Sequence, residues 1–222
     1  MRELRQAIQR VEADRSEGVV NVSMMPSFLQ KWLMPRLGEF QDEHADLDLR
    51  ISTDDAQVDF AITDFHAAIR FGPGNWPDLE AGKLMGDFVV PVCSPRYLDR
   101  HGTLGSVTDL ENHDLLYVDS PVLNSWFREV GEYGRHRRQR LLNDATAILL
   151  AAELGEGIAL SRWSLVARDI AAGRLVRPIQ RTVATDWSYF FVAPAHHQEM
   201  PKIRAFFHWL KTQCDAFPGP DT

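Results

Sequence analysis

The polar residues best placed to meet a small molecule sit where strands give way to helices. Val19-Val20-Asn21-Val22-Ser23-Met24 is short and β-branched, and apolar residues then recur with helical spacing at Phe28, Trp32, Leu33, Leu37 and Phe40. Ser27 therefore stands at a helix start, placed to cap the unpaired amides or to share them with an anion. An ordinary capped turn with no ligand is the alternative. Asn143-Asp144-Ala145-Thr146 opens a second helix in the same way. Asp144 there suits an ammonium, and it suits a helix cap equally well. Tyr189 lies in an extended run, residues 187–193, and either reaches the same space or packs in the core.

Covalent chemistry has no visible constellation. The chain lacks Gly-x-Ser-x-Gly, Gly-x4-Gly-Lys-Ser/Thr and a Gly-x-Gly-x-x-Gly turn after its first strand. His196 and His197 are adjacent and point different ways, so no metal site and no cofactor is expected. A net charge of −7 argues against nucleic-acid binding by this chain itself. The basic run Arg135-His136-Arg137-Arg138-Gln139-Arg140 has no interleaved aromatics and reads as a solvated or partner-facing patch. Cys93 and Cys214 read as free thiols. No run is long enough to span a bilayer and the start is unlike a signal peptide, so a cytoplasmic location is expected.

The elements that must position these residues alternate. Strands are expected at 19–24, 47–52 and 67–71, with one helix after Ser27 and another capped by Asp54-Asp55 and carrying Val58, Phe60 and Ala61. Residues 88–93 read as a crossing to a second module, with Pro91 and Ser94-Pro95 stopping regular sheet. That module has helices at 96–100, 125–130, 147–154 and 165–171 and strands at 115–118, 140–142 and 158–160. A second crossing at 187–193 leads to an amphipathic helix over 202–214. With 222 residues and 45% hydrophobic composition, one large or two small α/β domains can form.

The order of parts resembles the effector-binding domain of LysR-type transcriptional regulators, in the subgroup around the glycine-cleavage activator. The matching residues are Pro26-Ser27-Phe28 with Lys31-Trp32-Leu33-Met34-Pro35-Arg36-Leu37, Ala68-Ile69-Arg70-Phe71-Gly72 with Gly74-Asn75-Trp76-Pro77, and Pro91-Val92-Cys93-Ser94-Pro95. Gly155-x-Gly157-Ile158-Ala159-Leu160, Ala172-Gly173-Arg174-Leu175-Val176-Arg177-Pro178 and the closing Pro201-Lys202 helix continue the series to about residue 212. The resemblance implies a two-lobed, type II periplasmic-binding-protein-like α/β fold. Each lobe would be a mixed sheet flanked by helices, with two crossover strands between them. Lobe I would take residues 18–89 and 189–216, lobe II residues 90–188, and residues 1–17 would be the remnant of a linker helix.

It also implies a small-molecule effector in the interlobe cleft, amino-acid-like or cell-wall-fragment-like, and a homodimer, with a higher homo-oligomer in the full-length protein. DNA would be contacted only through a winged helix-turn-helix domain not in this chain. The family's effector contacts fall on Ser27, Phe28, Asn143, Asp144, Thr146 and Tyr189, with Arg70, Asp119 and Ser120 as further carry-overs. His66 stands where the family commonly has an acidic residue, four before Arg70. A solute-binding protein of a transport system shares the architecture and is the alternative reading. An enzyme on this fold would need a catalytic group that the sequence does not show.

Overall fold

The computed structural model describes residues 18–118, 120–131 and 137–220. The segment read as a linker helix, Asp119 and the Arg135-His136 start of the basic run lie outside the described residues. Eight strands form one curled mixed sheet in the order β2-β1-β3-β8-β4-β7-β5-β6. They are β1 (Val19–Met24), β2 (Asp48–Thr53), β3 (Ala67–Gly72), β4 (Glu80–Val92), β5 (Asp114–Tyr117), β6 (Arg138–Leu141), β7 (Ile158–Arg162) and β8 (Val183–Ala193).

The wiring repeats. β2-β1-β3 is a parallel triplet, β6-β5-β7 is another, and each places its first strand in the middle. Each triplet is closed by an antiparallel long strand, β8 on β3 and β4 on β7, and these two long strands pair with each other. Register shifts on β4 at Lys83/Met85 and at Gly86/Phe88 bend it between the halves. The expected two lobes and two crossings are therefore built from one continuous hydrogen-bonded order.

The apolar core divides in step. One cluster joins Val20, Val22, Phe28, Trp32 and Phe40 to Leu84 and Met85 of β4, Tyr189 and Phe191 of β8, and Phe206 and Leu210 of the C-terminal helix. The others begin at Val89 and Val90 of β4 and centre on Tyr97, Trp126, Ile158, Leu149 and Val166. Among the described residues eight α-helices flank the strands: α1 (Pro26–Phe28), α2 (Leu37–Glu43), α3 (Pro95–His101), α4 (Pro121–Val130), α5 (Ala145–Glu153), α6 (Trp163–Ala171), α7 (Ala195–Gln198) and α8 (Pro201–Asp215). α1 continues as a π turn over Leu29–Leu33 and a 3-10 turn over Met34–Arg36 before α2 begins. Pro35 has no N–H for an ordinary α bond, which accounts for the irregular turns on either side of it.

Two expectations are corrected. No helix follows Asp54-Asp55; residues 54–66 run as turns and bends. Asp54 and Asp59 instead accept from the backbone N–H two residues on, at Ala56 (2.8 Å) and Ala61 (2.9 Å), which competes with helix formation. Pro91 does not stop the sheet, because it pairs within β4 against Leu160. Successive N–H groups of a strand point to opposite edges, and Cys93 sends its N–H to Val176 rather than to β7. Pro91, two residues earlier, thus turns its nitrogen to a flank that β8 has already left.

Candidate functional site

The carboxyl ends of the six parallel strands face a common cavity of about 630 Å³, the position at which open α/β sheets bind ligands. Each half contributes the same three kinds of group. After the middle strands come Pro26-Ser27 in the first half and Ser120 with Val122 in the second. The edge strands are followed by Asp55 and by Asn143-Asp144, and the inner strands end at Arg70-Phe71 and at Ser161-Arg162. Each side thus brings at least one serine, one aspartate and one arginine, the second half adding Ser161. Trp187 on β8, with Val118, Leu123, Ile148, Leu160 and Leu165, supplies apolar wall.

The two helix starts differ. Ser27 is not the cap of its helix: Met25 occupies that position without a side-chain hydrogen bond and Pro26 fills the first turn. Ser27 is buried, and its Oγ accepts from Arg162 Nη2 at 3.3 Å across the cleft. Asp144, in contrast, is a true cap. Its Oδ1 accepts from the N–H groups of Thr146 (2.7 Å) and Ala147 (3.3 Å) and from Thr146 Oγ1 (2.6 Å). The Thr146 hydroxyl, opposed by partial desolvation and reinforced by the two amides, holds the Asp144 carboxyl below the usual carboxylate range. Ser120 caps α4, its Oγ accepting from Leu123 N–H at 3.2 Å.

The cavity therefore gathers Ser27, Arg70, Ser120, Asn143 and Asp144. Three other expected contacts fall off its wall. Phe28 is fully buried, stacked on Trp32 with ring centroids 5.0 Å apart and tilted against Tyr189 at 4.7 Å. Tyr189 shares a face of β8 with Trp187 but is fully buried, packed against Phe28 at 4.7 Å and Phe71 at 4.8 Å. Thr146 is bonded back onto Asp144. Asp119 lies outside the described residues.

Beneath the cavity lies a polar network that sequence reasoning missed. Buried Asp87 on β4 accepts from Phe88 N–H (2.8 Å), Ser164 N–H (3.1 Å) and Ser164 Oγ (2.6 Å). With the Ser164 proton directed at Asp87, the Tyr189 hydroxyl donates to Ser164 Oγ, 3.0 Å away. The network ties the two long strands to the start of α6. Burial pushes the Asp87 carboxyl up, against the opposing pull of Arg162 and the hydrogen bonds. Burial likewise raises the Tyr189 hydroxyl, keeping it protonated.

Arg162 and Trp187 were also missed. Arg162 was legible only as the charged end of a buried strand, the point where the run Ile158–Arg162 leaves the core. His66, in the place of the family's acidic residue, is not on the cavity wall. Its Nδ1 accepts from Asn21 N–H at 2.9 Å, so it acts as a neutral acceptor beside β1. Burial, followed by Lys202 and His197, lowers it to about 4.

Residues 13–215 match the LysR substrate binding domain family. The chain is 32% identical over 216 residues to the glycine cleavage system transcriptional activator of Escherichia coli (strain K12), covering 96% of this chain and 71% of that protein. It is 33% identical over 208 residues to the HTH-type transcriptional activator AmpR of Pseudomonas aeruginosa, covering 91% and 68%. The solved effector domain of AmpR from Pseudomonas aeruginosa superposes with a TM-score of 0.76 at 32% identity, over 89% of this chain and 95% of that one. The AmpR effector binding domain from Citrobacter freundii gives 0.77 at 24% identity, over 90% and 99%, a likeness of fold. The chain belongs to the LysR substrate binding domain family, the effector-binding part of LysR-type transcriptional regulators, with their two-lobed type II periplasmic-binding-like fold.

Proposed function

We propose that the cavity between the halves takes up a small polar effector, and that its occupancy biases the arrangement of two lobes, 18–89 with 189–216 against 90–188. A homodimer in the cytoplasm then passes that bias to a separate DNA-binding domain, the only part that touches DNA. The observation that carries this reading is the cavity itself, with a serine, an aspartate and an arginine reaching it from each half. A ligand that contacts both halves has different affinities for open and closed arrangements, which is the condition for it to act as a signal.

Ser27, Arg70, Ser120, Asn143 and Asp144 make the direct contacts in this reading. Thr146 acts by fixing Asp144, while Phe28 and Tyr189 act by holding the floor. An effector of the amino-acid or cell-wall-fragment kind meets the amide and hydroxyl groups of the wall, and the volume admits either. Exposed Leu150 and Leu154, one turn apart at the end of α5 with 56% and 57% of their surface free, support a partner surface there. The relatives are transcription regulators, which favours a sensor over a transport solute-binding protein.

Thermal unfolding against a panel of amino acids, organic acids and cell-wall fragments tests the reading, because a ligand of the folded state raises the midpoint by mass action. A concentration-dependent rise that Asn143→Ala weakens is the expected outcome. A rise of the same size in that variant contradicts the placement.

A further inference from the structure

Two guanidinium groups at this cavity have donors that no described residue accepts from. Arg70 is only 7% exposed. It donates to Ser23 Oγ (2.8 Å), to the Ala56 carbonyl (2.9 Å) and to the Ile69 carbonyl (3.2 Å), while its Nε is buried without a partner. The guanidinium carbon of Arg162 lies over the Phe71 ring, 4.4 Å from its centroid, and over that of Tyr189 at 5.2 Å. One Nη reaches Ser27 Oγ at 3.3 Å and the other, buried, has no partner. Among the described residues no carboxylate forms an ion pair with either arginine.

A buried unpaired donor on a charged group is costly, and a guanidinium stacked on aromatic faces is held in one plane. That plane suits the two oxygens of a carboxylate, which accept parallel N–H bonds. Asp87, the acid beneath Arg162, is already engaged by Ser164 and the Phe88 amide. The exposed aspartates, Asp55 and Asp144, also line the cavity. Arg70 has Asp54 and Asp55 as charged neighbours and Arg162 has Asp87, yet neither arginine forms an ion pair with them.

We propose that the ligand of this cavity carries a carboxylate and that Arg162 is the residue that receives it, with Arg70 as a second donor. The inference rests on the reading of the cavity as the effector site and names the ligand's chemical class. A neutral amide offers one carbonyl oxygen and no charge where a carboxylate offers two oxygens and a charge, so Arg162 selects for charge while Ser27 and Asn143 read polar shape.

The test is calorimetric titration of the 222-residue chain with L-alanyl-L-alanine and with succinate, each beside its amide. The wild type, Arg162→Gln, Arg162→Lys and Asn143→Ala are compared, with circular dichroism confirming that each is folded. The carboxylates are expected to bind roughly tenfold or more tightly than the amides, a preference lost in Arg162→Gln and partly kept in Arg162→Lys. Equal binding of acid and amide, weakened by Asn143→Ala but not by Arg162→Gln, overturns the carboxylate assignment and leaves the cavity as a ligand site. Binding that no variant alters, or no binding by any probe, overturns the assignment and counts against the effector site as well.

Discussion

The two halves are wired alike and finished differently. Each has a parallel triplet with its first strand in the middle and an antiparallel long strand beyond it. Yet after the edge strand the first half runs through turns while the second builds α5, and the starts of α4 and α5 carry side-chain caps where that of α1 does not. Asp144 uses one of its carboxylate oxygens on its own helix. Ser27 caps nothing and lends its hydroxyl to Arg162 of the other half. The contrast teaches that the halves divide the work: Ser120 and Asp144 of the second half cap their own helices and form a polar rim, and the first half supplies an aromatic floor with a hydroxyl bonded across the cleft.

The largest effect expected from breaking this division is on the floor. Phe28→Ala leaves a cavity under Trp32 and Tyr189 and costs about 3–5 kcal/mol, read from urea unfolding. Asp144→Ala, which removes the rim's cap, costs only about 1 kcal/mol by the same measurement. A comparable loss in both variants erases the proposed contrast. Smaller again is the tie outside the cavity, where Lys31 Nζ lies 3.2 Å from Glu153 Oε1 and 2.9 Å from Asp169 Oδ2, joining the first half to α5 and α6. Lys31→Met is expected to cost about 0.5–1 kcal/mol, an effect that shrinks as salt is added.

A further effect is a pH slope set in the first half. His66 takes up a proton at about 4 when folded, against 6.5 for an unperturbed ring, chiefly because of burial. Between these values the unfolded chain holds more protons, so stability falls as pH drops from about 6.5 to about 4 and this group adds no further loss below that. His66→Gln should flatten that part of the stability profile, whereas an unchanged slope assigns it to other groups.

The sequence makes the strand-to-helix junctions legible because period two changes to period 3.6 within a few residues, as at Met24 to Phe28. Asn143-Asp144 is legible for the same reason, and the cap it forms is the structural role its residue types favour. The segment after Asp54 is not, since its apolar spacing alone suggests a helix while two aspartates fold back on their own backbone. Tyr189 shows a different limit: the strand was readable, but Trp187 on the same face lines the cavity while Phe28 and Phe71, 161 and 118 residues away in the chain, pack against Tyr189. Arg162 was missed because its significance comes from Phe71 and Tyr189 beneath it and Ser27 opposite, partners 27 to 135 residues away in the chain.

Hydrogen exchange of the chain with and without a ligand from the unfolding panel tests the central claim most directly. If both halves grip one effector, protection should rise together at residues 25–27, 70–71, 120–123, 143–145 and 161–162, on both sides of the cavity. Protection confined to one half, or lying away from these strand ends, would contradict an effector site built from both.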